Sequence, residues 1–160
     1  MGEAVQDLLG EITSKFRDAI KSSIVDKKIV KVEVGSHQME AVALFLRDNH
    51  GWDHVKAVTA VDLSRVGKKE SKLEVIYHLG SYSRDELWGK DLSLSCKLDR
   101  PSPKMKTLSG IWPSCEYHER EVFEMFGIIF EGHPNLARLL LPDYWSDMPP
   151  LLKDYEPPGR

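Results

Sequence analysis

The chain has 160 residues, a formal net charge of −3, 41% hydrophobic residues and 29% charged residues. That length fits one domain, and that balance supports a packed core and excludes a disordered tail. No basic footprint marks a nucleic-acid surface, and no apolar run approaches the roughly 20 residues that span a bilayer.

The opening stretch from Met1 to Ile12 is acidic and helical, without the basic-then-apolar plan of a signal peptide. Any membrane association is therefore expected to run through other subunits. Cys96 and Cys115 form no CxxC and are expected as reduced thiols. Two thiolates cannot hold an ordinary four-thiolate iron–sulfur cluster.

Val5, Leu8, Ile12, Phe16 and Ile20 recur at spacings of three and four, which predicts an amphipathic first helix. Val30, Val32 and Val34 alternate with Lys31 and Glu33 as a strand. Gly35-Ser36 is a turn signal, after which His37-Gln38 reads as the start of a second short strand. A helix is predicted from about Met39 to Arg47, burying Met39, Val42, Ala43 and Leu46. Three further strands show period-two alternation. Their inward sets are Val55, Ala57, Thr59, Val61; then Leu73, Val75, Tyr77, Leu79; then Leu92, Leu94, Cys96, Leu98. A polar turn from Gly67 to Glu70 separates the first two. Such alternation buries one sheet face and leaves the other wet or lightly covered. The expected fold class is α+β, a two-layer domain over residues 1–126 with helices on one face of a mixed sheet. An irregular extended C-terminal arm over residues 127–160 follows.

Asp99 to Lys106, with Pro101 and Pro103, reads as a loop. Pro113 suits the first turn of a helix that runs to about Phe126, where Gly127 supplies a left-handed stop. Beyond it, Pro134, Pro142, Pro149, Pro150, Pro157 and Pro158 exclude long regular structure. Yet Ile128, Ile129, Phe130, Leu136, Leu139, Leu140, Leu141, Tyr144, Trp145, Leu151, Leu152 and Tyr155 make the arm too apolar for a solvated tail. Part of it is expected to lie against another protein, where aromatic anchors dominate binding. Wrapping wholly on its own domain is the alternative.

The six histidines include no i, i+4 pair on a helix. His118-Glu119-Arg120-Glu121-Val122 has the outline of a zincin helix without its second histidine. Phosphate-cradling and nucleophile-elbow motifs are absent. Cys115 and His118 stand at i, i+3, a spacing that reads as packing rather than as a nucleophile and its base. His133, within Gly132-His133-Pro134, reads as a turn residue whose ring nitrogens bond backbone. Glu116, Arg120 and Glu124 are four apart, which predicts a salt-bridged ladder on one helix face. Paired carboxylates also serve glycosidases, but an arginine between them keeps both ionised. A third reading buries Glu119 and Arg120 at an interface between subunits, where forked pairing fixes orientation.

The string Glu119-Arg120-Glu121-Val122-Phe123-Glu124-Met125-Phe126-Gly127-Ile128 continues through Phe130, Gly132-His133-Pro134, Arg138 and Leu141-Pro142-Asp143. It ends in Pro150-Leu151-Leu152-Lys153-Asp154-Tyr155. In order and spacing this resembles the 30-kilodalton subunit family of respiratory complex I, the C-type subunit of NADH:quinone oxidoreductases. Ala60-Val61-Asp62 and Val75 to Leu79 fit the family pattern upstream, so the resemblance runs from about Trp52 onward. Glu124 stands where the family has Asp, keeping the charge, and Leu152 stands where it has Arg, removing a cation. The family includes homologous subunits of membrane-bound group 4 nickel–iron hydrogenases, sulfur-reducing complexes and the coenzyme F(420) dehydrogenase.

The resemblance implies a non-catalytic structural and assembly subunit of a membrane-associated, ion-translocating oxidoreductase. It implies docking on a large 49-kilodalton-type or hydrogenase-like subunit near the proximal iron–sulfur cluster. An iron–sulfur subunit is the second implied partner, membrane subunits are indirect ones, and nucleic acid is not a partner. No cofactor is expected in this chain, the iron–sulfur clusters, and nickel–iron in hydrogenases, belonging to partner subunits. The implied location is peripheral, on the cytoplasmic side of the membrane. The implied partner-docking residues are Glu119, Arg120, Glu121, Phe126, Gly127, Phe130, Gly132, His133, Pro134, Arg138, Leu141, Pro142, Lys153, Asp154 and Tyr155. The alternative from another class is a stand-alone acid–base or metal-dependent enzyme using Glu119, Glu121 and His133.

Overall fold

Period-two alternation in the middle of the chain becomes a five-stranded sheet. The computed structural model describes residues 2–16, 20–25, 29–64 and 71–157, without the side chains of residues 2–7 and 21–29. The elements are α1 (Gly2–Lys15), β1 (Ile20–Val25), β2 (Ile29–Val34), α2 (Met39–His50), β3 (His54–Asp62), β4 (Lys72–Gly80), β5 (Asp91–Asp99), β6 (Lys104–Lys106), α3 (Glu116–Phe126) and β7 (Ile129–Glu131). The sheet order is β1-β2-β5-β4-β3. Among the described pairs of this sheet, β2 and β5 run parallel and the others antiparallel, so the sheet is mixed.

Leu94 lies opposite Tyr77, and Tyr77 opposite Val58, so these side chains share a face. On that face Leu8 and Ile12 of α1, Val42 and Leu46 of α2, and Val122 of α3 join Leu73, Val75 and Leu92 in one core. The opposite face is polar. It carries the Lys31–Glu74 pair at 2.7 Å and the Lys97–Glu33 pair at 2.9 Å. The expected two-layer α+β class is the observed one.

The sequence reading fails at several local points. The first helix ends at Lys15, and Ile20 opens β1, a strand the periodicity did not signal. Ser22-Ser23-Ile24-Val25 combines serines and β-branched residues that favour extended backbone. Val5 and the Gly67–Glu70 turn lie outside the described side chains and residues. Ser36–Gln38 is a single 3-10 turn rather than a strand, with the Gln38 N–H on the Gly35 carbonyl at 2.9 Å. α2 passes Arg47 and continues to His50, because Gly51 at φ 72° closes it with its N–H on the Arg47 and Leu46 carbonyls.

In β3 a bulge between Val55 and Ala57 shifts the alternation by one residue. Val55, Val58 and Asp62 are buried, and Val61, expected inside, is 41% exposed. The expected loop from Asp99 to Lys106 contains β6, which pairs in parallel with β7 and buries Met105 against Phe130.

Gly127 ends α3 at φ 75°, as its position after Phe126 predicted. A Cβ there would also stand 3.2 Å from Pro149 Cγ. Gly127→Ala is expected to cost about 1–2 kcal/mol through left-handed strain. A lowered urea midpoint at unchanged m-value is the expected readout.

Candidate functional site

The inward stripe of α3 and its leading turn runs Cys115, Glu119, Val122, so a carboxylate sits on an apolar face. Glu119 is fully buried. Its Oε1 accepts from the Tyr77 hydroxyl at 2.8 Å, the Leu108 N–H at 2.9 Å and the Cys115 thiol at 3.4 Å. Its Oε2 accepts from the Thr107 hydroxyl, and His133 Nε2 stands 4.0 Å away. Donors from β4, from the turn after β6 and from the start of the helix converge on one group. Their bonds offset the cost of removing that carboxylate from water. Burial, then the Glu119 charge, hold the Tyr77 phenol well above its ordinary value. The same two causes raise the Cys115 thiol, so both groups remain donors. Burial, with Glu74 and Glu33 adding to it, pushes the Cys96 thiol up to about 12. Both cysteines are free and buried, the opposite of a reactive thiol's surroundings.

The other side of α3 holds the arm by its backbone. Arg120 forks onto the carbonyls of Ala137 and Arg138, each at 2.9 Å. Glu124, one turn on, accepts the N–H groups of Leu139, Leu140 and Leu141 at 3.1, 2.8 and 2.7 Å. The expected Glu116–Arg120–Glu124 ladder is not formed. Beyond β7 the described part of the arm forms no strand or helix, and these two side chains supply partners for its peptide groups. Burial alone would raise the Glu124 carboxyl, but the three N–H groups and Arg138 outweigh it and hold it below its ordinary value. His133 accepts the Asn135 N–H on Nδ1 at 3.1 Å, which leaves Nε2 to donate to the Glu116 carbonyl at 3.0 Å. That is the turn role its Gly-His-Pro setting suggested.

Farther along, Arg138 donates to the Trp145 carbonyl at 2.6 Å and the Leu151 N–H to the Met125 carbonyl at 3.1 Å. The arm's end fastens to β3. Asp62 accepts the Lys153 N–H at 3.1 Å and Arg100 Nε at 3.2 Å, and Arg100 also pairs with Asp154. Burial would raise Asp62, yet the Ser64, Lys153 and Arg100 donors leave it lowered. Ile128 and Phe130 of the arm are buried and Leu136 and Leu152 pack on the core, while several of its other large side chains are exposed. Leu140 is 59% and Tyr144 85% exposed, and Leu139, Leu151, Tyr117 and Ile129 are exposed as well.

The expected docking residues therefore occupy three kinds of position. Glu119 and Phe130 lie inside the chain, without surface for a partner. Arg120, His133, Lys153 and Asp154 bond the arm to its own domain, and Arg138 bonds within the arm to the Trp145 carbonyl. Phe126, Gly127, Leu141 and Tyr155 are half-buried, while Glu121, Gly132, Pro134 and Pro142 are exposed. Of the residues proposed for an enzyme, Glu119 and His133 come within 4.0 Å of each other, but Glu121 does not join them. Glu121 is two positions from Glu119, about 200° around the helix, and is exposed where Glu119 and the His133 side chain are buried. Tyr77, Thr107, Asp62 and Arg100 were missed. For Asp62 a signal existed, since a carboxylate shares inward parity with Val58 and Ala60 at a strand's end.

No described helix is long and apolar enough to cross a membrane. The chain is 36% identical over 149 residues to the C-type subunit of NADH-quinone oxidoreductase from Roseiflexus sp. (strain RS-1), covering 92% of this chain and 81% of that one. It is 31% identical over 150 residues to the C-type subunit of F(420)H(2) dehydrogenase from Methanosarcina mazei, covering 93% and 90%. Its fold is similar to a chain of the membrane-bound sulfane sulfur reductase, an archaeal respiratory membrane complex. That likeness has a TM-score of 0.78 at 22% identity and covers 96% of this chain and 86% of the other. The trypsin-resistant fragment of Nqo5 aligns with a TM-score of 0.67 at 21% identity, covering 82% and 98%. A family model for the respiratory-chain NADH dehydrogenase 30 Kd subunit matches residues 32–160, a span that holds α3, the buried Glu119 and the whole arm. The chain belongs to the 30-kilodalton subunit family of the respiratory-chain NADH dehydrogenase.

Proposed function

We propose that the chain is a non-catalytic structural subunit of a membrane-associated, ion-translocating oxidoreductase. It docks on a large 49-kilodalton-type or hydrogenase-like subunit, beside an iron–sulfur subunit and near the proximal cluster. The redox centres belong to those partners, and the chain sits peripherally on the cytoplasmic side. The observation that carries this reading is the orientation of the arm. Its peptide groups are bonded to α3 and β3, and Leu139, Leu140 and Tyr144 are exposed. An arm fixed before contact loses little freedom on binding, which favours tight association. Relatives named as subunits of NADH-quinone oxidoreductase and F(420)H(2) dehydrogenase support the reading as part of a larger complex.

Affinity purification of tagged chain from its native membranes, with mass spectrometry and metal analysis, tests the proposal. Co-purification of a large hydrogenase-like subunit and an iron–sulfur subunit is expected, and nickel content separates a hydrogenase from a quinone reductase. Recovery of the chain alone and metal-free would overturn it. Arg120→Ala is expected to weaken assembly more than folding, because the guanidinium shapes the arm at Ala137 and Arg138 while half-exposed itself. A retained subunit yield that falls several-fold, with a melting shift corresponding to about 1 kcal/mol, is the expected pattern. Equal loss in both assays counts against it.

A further inference from the structure

β3 is an outer strand of the sheet. The Leu63 N–H bonds the Lys72 carbonyl at 2.9 Å, and in an antiparallel ladder every second residue repeats that pairing. Thr59 and Val61 therefore turn their N–H and C=O groups toward β4, and Val58 and Ala60 turn theirs to the open edge. At one end of the edge Ser114 takes the Val55 N–H at 3.2 Å, and at the other the arm crosses at Asp62 through Lys153. Between them no described group bonds the outward N–H of Val58 or Ala60. Bulges, lysines and covering segments blunt sheet edges, but here the bulge and Lys56 stop short of Val58. Beside the bare edge a cleft of about 200 Å³ opens between β3 and α3, lined by Ala60, Val122, Met125, Phe126 and Leu151, with Glu121 on it. Glu121 is exposed and has no hydrogen bond or ion pair among the described residues.

We propose that this edge receives an extended segment of a partner subunit as a sixth strand beyond the five present. Its backbone pairs with Val58 and Ala60, one apolar side chain fills the cleft, and a nearby Lys or Arg meets Glu121. The inference rests on the docking-subunit reading and adds a second contact, apart from the arm's outward face. A second copy of this chain is the poorer occupant, because pairing through the same edge sets Glu121 against Glu121.

Amide hydrogen exchange at single-residue resolution tests it, on the full chain alone and on the complex isolated from native membranes. In the chain alone, the Val58 and Ala60 amides are expected to exchange at least about 100-fold faster than those of Thr59 and Val61. In the complex they slow by a similar factor. A photo-cross-linking residue at Thr59 is expected to capture an extended stretch of another subunit that holds an apolar residue and a Lys or Arg. Glu121→Lys is expected to reduce that cross-link about 10-fold while leaving the melt of the chain alone unchanged. Unchanged exchange at Val58 and Ala60 in the complex, or cross-links only between two copies of this chain, overturns the proposal. A chain that co-purifies with no other subunit overturns the docking reading and this inference with it, whereas co-purification with an unprotected edge overturns this inference alone.

Discussion

Glu119→Ala is expected to destabilise the chain by about 3–5 kcal/mol, the largest effect of any single substitution on α3. The carboxylate is fully buried, and its removal strands the Tyr77 hydroxyl, the Thr107 hydroxyl and the Leu108 N–H without an acceptor. Each stranded buried donor costs about 1–3 kcal/mol, and water entering the vacated space limits the sum. For a chain of this size the melting temperature should fall on the order of 10 °C. Two milder variants order the effect. Glu119→Gln keeps one acceptor oxygen but sets an amide N–H against donors, so it falls between Ala and wild type. Tyr77→Phe removes one donor and leaves the other bonds intact, so it costs about 1 kcal/mol. Urea unfolding of the three variants checks the order. A Glu119→Ala chain within about 1 kcal/mol of wild type would show that the network does not hold α3 in place.

The periodic parts of this fold were readable because burial imposes the period. β4 and β5 pair without a register shift, and Leu73, Val75, Tyr77, Leu92 and Leu94 are all buried as expected. β3 looked equally regular, yet its bulge reversed the faces. A one-residue insertion leaves no mark in a valine-rich pattern that reads plausibly in either register, Val55 to Val61 or Val58 to Asp62. The 3-10 turn at Ser36–Gln38 was missed because three residues are too few to show any period. β6 was hidden by the prolines that precede it, Pro101 and Pro103, and by a partner, β7, far along the chain. The site failed in a more instructive way. Glu116, Arg120 and Glu124 have the spacing of a surface ladder, and local spacing is all that such a rule contains. The groups that draw Arg120 and Glu124 away are arm peptides 15 to 18 residues on. Glu119 did leave a trace, since a carboxylate between Cys115 and Val122 interrupts an apolar stripe and demands buried donors. Which donors they are was unreadable, because Tyr77 is 42 positions away.

Glu124→Ala is expected to free the arm rather than to unfold the domain. Three N–H groups lose one shared acceptor, and because the arm can detach and hydrate them, the cost is about 2–3 kcal/mol and local. Chymotryptic cleavage within Leu139 to Tyr144 should accelerate at least about 10-fold, while cleavage of the β-sheet stays slow. The pH dependence has a defined sign. The folded carboxyl of Glu124 lies below its ordinary value, because the arm's N–H groups and Arg138 outweigh the effect of burial. Its contribution is therefore complete above the unfolded value, about 4.3–4.5, and disappears as pH falls through the folded one. Arm protection should be flat from about pH 5 to 8 and decline below about pH 4. Asp62 is also lowered, so its hold on Lys153 fades in the same acid window. Cleavage position separates the two, since cuts at Leu139 to Leu141 report on Glu124 and cuts beyond Leu152 report on Asp62. In Glu124→Gln the first set should be fast at every pH and the second should keep its acid dependence. Acid-dependent cleavage at Leu139 to Leu141 surviving in Glu124→Gln would show that another group holds that segment. If Glu124 does hold it, assembly should weaken with the same variant at neutral pH, because a detached arm must be ordered again before its outward leucines and Tyr144 can meet a partner.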